Sequence, residues 1–255
     1  MNRKLAFSSR NIKELTRDPL GYIFCVGFPL IMLVLMSIID SSIPKESVTT
    51  FHIENLAPGV AVFGQMFVML FTALNIATDR GGTFLMRLYA TPMTAGDLAA
   101  GYVIPMLIVA VVQSVITFAA AFIISIIIGN TLSVAGMLVC ILALIPSALM
   151  FIGFGLLFGV LFNEKSAPGI SSIIISLGGF MGGIWFDAES TGGVMLTICK
   201  CMPFFYCTKS ARAALALDFS GGKFIFPLVI VLVCAVVLIS IGSFAFSKKM
   251  RADLG

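Results

Sequence analysis

Long apolar runs alternate with short polar connectors along the whole chain. A helix needs about 20 apolar residues to cross the hydrocarbon core of a bilayer. The pattern therefore predicts six spans, at residues 20–39, 57–77, 99–128, 132–162, 167–186 and 224–246. Pro29, Pro105 and Pro146 fall inside three of them and are candidate bends. In the fifth run, Gly178 and Gly182, and Gly179 and Gly183, give two overlapping G-x-x-x-G spacings. Such spacings allow close helix packing in a membrane. The other reading of these glycines is flexibility.

The connectors carry the polar signals. Residues 3–18 begin with a basic amphipathic stretch. Leu5, Ile12 and Leu15 lie roughly on one helical face, and Arg3, Lys4, Arg10, Lys13 and Arg17 surround it. A helix of this kind lies in the membrane surface. Asp18-Pro19 then reads as an N-cap followed by the first residue of the entering helix. The loop after the first run holds Lys45, Glu46, Glu54 and the chain's one histidine, His52, read as solvated.

Residues 78–98, TDRGGTFLMRLYATPMTAGDL, form a charged island between the second and third runs. Gly81-Gly82 stops the incoming helix. Thr83 can cap a short helix over 84–90, and Thr91-Pro92 ends it. Thr94 and Asp97 have capping-box spacing for the next helix. A connection that only turned the chain would be shorter, so the island is read as a docking piece for a partner. The connector at 187–223 is too polar to span and too apolar for a free loop. It predicts two short helices, 194–201 and 204–217, divided by Pro203, as a re-entrant or interfacial hairpin.

Composition fixes the class. The chain has 255 residues, 59% hydrophobic and 11% charged, against about 25% charged in soluble domains. Mean hydropathy is +1.09. The expected architecture is an all-α membrane protein forming a single transmembrane domain. The N-terminus does not read as a cleavable signal peptide, because its basic region is too long. With the N-terminus inside and six spans, eleven Lys and Arg fall on the inner side and five (Lys45, Lys200, Lys209, Arg212, Lys223) on the outer. The positive-inside rule then places both termini and the island in the cytoplasm.

Of the six cysteines, Cys199, Cys201 and Cys207 cluster in one connector, as interfacial residues or as one disulfide with a spare thiol. Their spacing is not a metal signature, and nothing points to nucleic acid. The interiors of the runs carry no Asp, Glu, Lys, Arg or His. Ion-coupled carriers usually hold an ionisable group there, and intramembrane hydrolases need a nucleophile with a base, or a metal. The buried polar set is mild, with Gln65, Thr72, Asn75, Gln113, Ser114, Ser147, Ser171, Ser172 and Ser176. Interhelical hydrogen bonds are the ordinary reading of each. No G-x-x-x-x-G-K-[ST] motif is present, since Gly221-Gly222-Lys223 lacks both the upstream glycine and the hydroxyl residue. Uphill movement would draw its energy from another subunit.

The order of these features resembles the ABC transporter type-2 permeases, transmembrane subunits of exporters whose ATPase is a separate protein. Arg10-Asn-Ile-Lys-Glu-Leu-Thr-Arg-Asp-Pro19 and Phe28-Pro29 are similar to the family's elbow helix and first span. Asp79 and Arg87-Leu88-Tyr89-Ala90-Thr91-Pro92 are similar to its cytoplasmic loop, and Gly101-Tyr102 and Pro105 also fit. Gly183 to Asp187, Met202 to Tyr206 and Lys209 to Leu215 resemble the outer hairpin before its last span. Gly81 stands where the family commonly has a second acidic residue, and Thr83 where a glycine is expected. The resemblance implies ATPase coupling through Asp79, Arg80, Thr83, Arg87, Leu88, Tyr89 and Pro92, with an elbow helix bearing Arg10, Lys13 and Arg17.

It further implies a dimer of permeases, identical or related, on a cytoplasmic ABC ATPase dimer. ATP and Mg would sit on the partner and no cofactor on this chain. The expected location is the cytoplasmic membrane of a bacterium, in contact with its lipids. The expected cargo is a small or amphipathic molecule such as a drug, an antimicrobial peptide or a lipid-linked compound. The competing readings are a sensor or immunity subunit that binds a ligand and signals without transport, a self-sufficient channel or carrier, and an intramembrane enzyme.

Overall fold

Every apolar run becomes helical in the computed structural model, which describes residues 3–43, 49–82 and 94–253 and has no strand among them. Helix α1, Arg3–Leu15, is the amphipathic stretch. After Asp18, whose Oδ1 accepts the Leu20 N–H at 3.1 Å, α2 runs over Pro19–Ser42. The central α3 spans Ile53–Gly81, and α4 spans Ala95–Ile128. Then follow α5, Val134–Ala143, and α6, Ile145–Leu161, with α7 at Ala167–Met181. The hairpin holds α8, Ala188–Thr191, α9, Gly193–Cys201, and α10, Pro203–Leu215. The last helix, α11, is Phe226–Asp253.

Local chemistry explains the breaks. One wide helical turn occupies Ile23–Gly27 and another Gly221–Ile225, each ending two residues before a proline, Pro29 and Pro227. Proline lacks an N–H and crowds the carbonyl four residues back; a turn widened by one residue gives it room. The fourth predicted run is two helices instead of one, with the joint at Leu144 ahead of Pro146. Pro105 sits inside an unbroken α4.

The predicted fifth span, 167–186, is helical over only part of its length. Helicity holds only over Ala167–Met181, 15 residues, or about 22 Å at 1.5 Å per residue. Among the described residues, five helices are long and apolar enough to cross a membrane, and α7 is a shorter apolar helix. Gly182 caps it, and Gly183 turns the chain with φ +65°. The two G-x-x-x-G pairs are therefore split by a helix end. Gly178 packs on Met66, and Gly179 lies against the Trp185 ring. Cys199, Cys201 and Cys207 are free thiols.

The helices α2, α4, α6, α7 and α10 surround α3. In its most apolar stretch α3 is 83% buried, against 22% for α2 and 17% for α11. Ile31, Val34 and Ile38 of α2, and Val229, Val233 and Val236 of α11, face outward. The chain is an integral membrane protein, and such apolar faces suit the hydrocarbon of a bilayer. Between α3 and α6, Ser147 Oγ donates to Gln65 Oε1 and to the Leu144 carbonyl, and Gln65 Nε2 donates to the same carbonyl at 3.2 Å. These side chains stitch helices together at the α5–α6 joint.

Candidate functional site

The amphipathic helix α1 packs on the N-terminal part of α4, next to the last turn of α3. Phe7 and Asn11, one turn apart, face inward and are 5% and 6% exposed. The Phe7 ring meets Tyr102 edge-on at 5.1 Å. It also fills the space beside Gly101, where a Cβ would sit 2.1 Å from a Phe7 ring carbon. Asn11 Nδ2 donates to the Gly101 carbonyl at 3.0 Å.

Beside these contacts lies a charged node. Asp79, in the last turn of α3, accepts from Arg10 Nη1 at 3.3 Å and Nη2 at 3.4 Å, and from the Tyr102 hydroxyl at 2.6 Å. Arg10 also pairs with Glu14 at 2.5 Å. Burial pulls the Arg10 pKa down, but the hydrogen bond and charge of Asp79, with help from Glu14, more than offset it and leave it raised. Three elements thus meet on one carboxylate. Below them a cavity of about 290 Å³ is lined by Asn11, Glu14, Asp18, Asn75 and Asp79 among others.

Arg80 points the other way. Its Nη1 donates to the carbonyls of Gly159, at 2.9 Å, and Val160, at the C-terminal end of α6. A cation suits that end of the helix dipole. Its Nε is buried with no partner among the described residues. The replacement Arg80→Met removes both bonds and is expected to cost about 2 kcal/mol, since hydrogen bonds to charged groups contribute roughly 1.5–3 kcal/mol each and this side chain is only partly buried. A melt in detergent reads it. A variant as stable as the parent protein would show that the contact contributes nothing.

The node brackets the charged island. Helix α3 ends at Gly81. Helix α4 is capped by Thr94, whose Oγ1 accepts from the Asp97 N–H while Asp97 Oδ2 accepts from the Thr94 N–H. The capping box read from the sequence is thus formed. Residues 83–93 lie outside the described residues, and with them Thr83, Arg87, Leu88, Tyr89 and Pro92. Of the elbow cations, Arg10 enters the node, while Lys13 and Arg17 are exposed. Phe7 and Asn11 were not singled out from the sequence, although their spacing of four places both on one helical face. Tyr102 stood out only through the resemblance.

A family model described as ABC-2 type transporter matches residues 5–216, from α1 through the hairpin. No curated protein matches the chain.

Proposed function

The chain belongs to the ABC-2 type transporter family, and from that premise we propose that it is the membrane half of an exporter driven by a separate ATPase. Membership makes it a permease component, not the ATP-hydrolysing subunit, and implies association with an ABC ATPase. The finer reading is export of a small or amphipathic molecule across the cytoplasmic membrane by two such permeases on an ATPase dimer. The shorter α7 serves as the sixth crossing, which puts both termini and the island in the cytoplasm. The helix α1 and the island, residues 78–98, form the coupling surface, and the hairpin at 187–223 lies outside.

The observation that carries this reading is the Arg10–Asp79–Tyr102 node. It joins the surface helix to both helices flanking the island. A push on the island would then reach α3 and α4 together, and α3 packs against α2, α4, α6, α7 and α10. Cargo would pass between paired subunits.

The test is co-purification with the cognate ATPase, with and without Arg87→Glu. The charge reversal is expected to release the ATPase by at least tenfold while the permease elutes and melts as before. Retention of the ATPase by a folded Arg87→Glu variant would remove the island from the coupling surface. Reconstituted vesicles separate export from sensing, because only an exporter moves cargo when ATP is supplied.

A further inference from the structure

The two ends of α3 are unlike. Its 29 residues reach about 43 Å, and the end far from Asp79 borders a second cavity of about 290 Å³. The start of α3, the turn after α7 and the helix α10 enclose it. Arg212 of α10 is the staple: its Nε donates to the Asn55 carbonyl at 3.1 Å and its Nη2 to the Gly183 carbonyl at 2.9 Å.

The charges around this cavity are unevenly satisfied. Lys209 pairs with Glu189, and Lys223 with Asp218 at 2.9 Å. Arg212 has no ion-pair partner among the described residues, only the two carbonyls. Burial lowers its pKa to about 10, against the opposing pull of Asp187 and Glu189. Two more lining residues, Thr50 and Thr208, are 2% and 1% exposed, and their hydroxyls have no partner among the described residues. A buried hydroxyl without a partner is costly. Here two of them border the same cavity as a buried cation whose hydrogen bonds go to two carbonyls, with Asp187 and Glu189 acting on it only through their charge.

We infer that this cavity binds a singly charged oxyanion, a carboxylate or a phosphate diester, held by the Arg212 guanidinium and the Thr50 and Thr208 hydroxyls. The guanidinium presents donors in the fork that such oxygens fit, and each hydroxyl can donate one bond. Asp187 lines the same cavity, so a second negative charge on the ligand would be opposed. The ligand would bridge the α3 start, the α7 end and α10, and hold the hairpin against the bundle. The binding claim stands on the cavity alone; that the ligand arrives from the outer side rests on the orientation proposed above.

The chain has a single tryptophan, Trp185, two residues from both Gly183 and Asp187. Its ring packs edge-on against Phe63 at 5.1 Å. Its fluorescence in the full chain in detergent reports on the site without ATP or ATPase, so the result does not depend on the transport reading. The probes are N-acetylglycinate, its uncharged analogue N-acetylglycinamide, and short-chain phosphatidylglycerol.

A saturable change with either anion and none with the amide is expected. The double variant Thr50→Val/Thr208→Val should weaken binding by at least about tenfold, because it removes two bonds to a charged group. Arg212→Gln should abolish binding, and the threonine variant keeps the test intact if Arg212→Gln does not fold. Saturation by the carboxylate identifies a soluble ligand, and saturation by the phosphatidylglycerol alone identifies a lipid headgroup; both support the site. The inference is overturned if neither anion gives a saturable change, if the amide matches them, or if the threonine variant binds as the parent protein does.

Discussion

Asp79→Ala is expected to loosen the docking of α1 and to cut ATP-driven transport more than tenfold. The substitution leaves the Arg10 guanidinium and the Tyr102 hydroxyl facing the space of one lost carboxylate. Breaking a fully buried pair costs about 3–5 kcal/mol. Here the side chains of Arg10 and Asp79 are 30% and 16% exposed, so water takes back part of that and about 2 kcal/mol is the reasonable figure. That is roughly thirtyfold in the docked-to-undocked ratio. The Phe7–Tyr102 contact and the Asn11 bond remain, so α1 opens more often without being lost.

Hydrogen exchange over α1 should speed up by about that factor, while the α3 core amides stay protected. Swapping the charges, Arg10→Asp with Asp79→Arg, should recover part of the docking, because the ion pair is restored though Tyr102 loses its acceptor. If exchange in α1 is unchanged by Asp79→Ala, the node is not what holds the helix.

The second large effect lies in the packing of α6 on α3. A Cβ at Gly155 would stand 2.6 Å from both the Met69 carbonyl oxygen and Thr72 Cβ. One at Gly159 would stand 2.6 Å from Ile76 Cβ and 2.8 Å from the Ala73 carbonyl oxygen. Backbone oxygens cannot rotate aside, so the helices must separate. Overpacking typically costs about 1–3 kcal/mol per site. Gly155→Ala/Gly159→Ala should therefore destabilise by about 3 kcal/mol or more and reduce the yield of folded protein. Melting in detergent against the parent chain measures it, and an unchanged melt would show that the helices do not approach this closely. Here the G-x-x-x-G spacing lies within one helix and faces another, unlike the pairs read at Gly178–Gly183.

Much of what flanks the island was readable because its signals are local. Asp18-Pro19 and Thr94/Asp97 are caps, and a cap needs only neighbours along the chain. Asp79 and Arg80 stood out as charges at the edge of an apolar run. Their partners did not. Asp79 meets Arg10 across 69 positions, and Arg80 meets Val160 across 80. Arg212 entered the sequence reading as one of five cations on the outer side, yet it donates to the Asn55 carbonyl, 157 positions away.

The sequence alone determined the membrane class, the approximate helices, the caps between them and the lack of a P-loop. Each of these depends on one segment and its fit to a bilayer. The tertiary structure alone decided which helix is central. The most apolar helix, with hydropathy 3.2, is 17% buried in the protein, whereas α3, at 1.9, is 83% buried. Lipid tails are as apolar as leucine, so hydrophobicity drives a segment into the membrane but does not say which neighbour it meets. That choice falls to small residues and polar side chains, such as Gly64 beside Gln113 and Gln65 bonded to Leu144. Their partners exist only once the helices have packed.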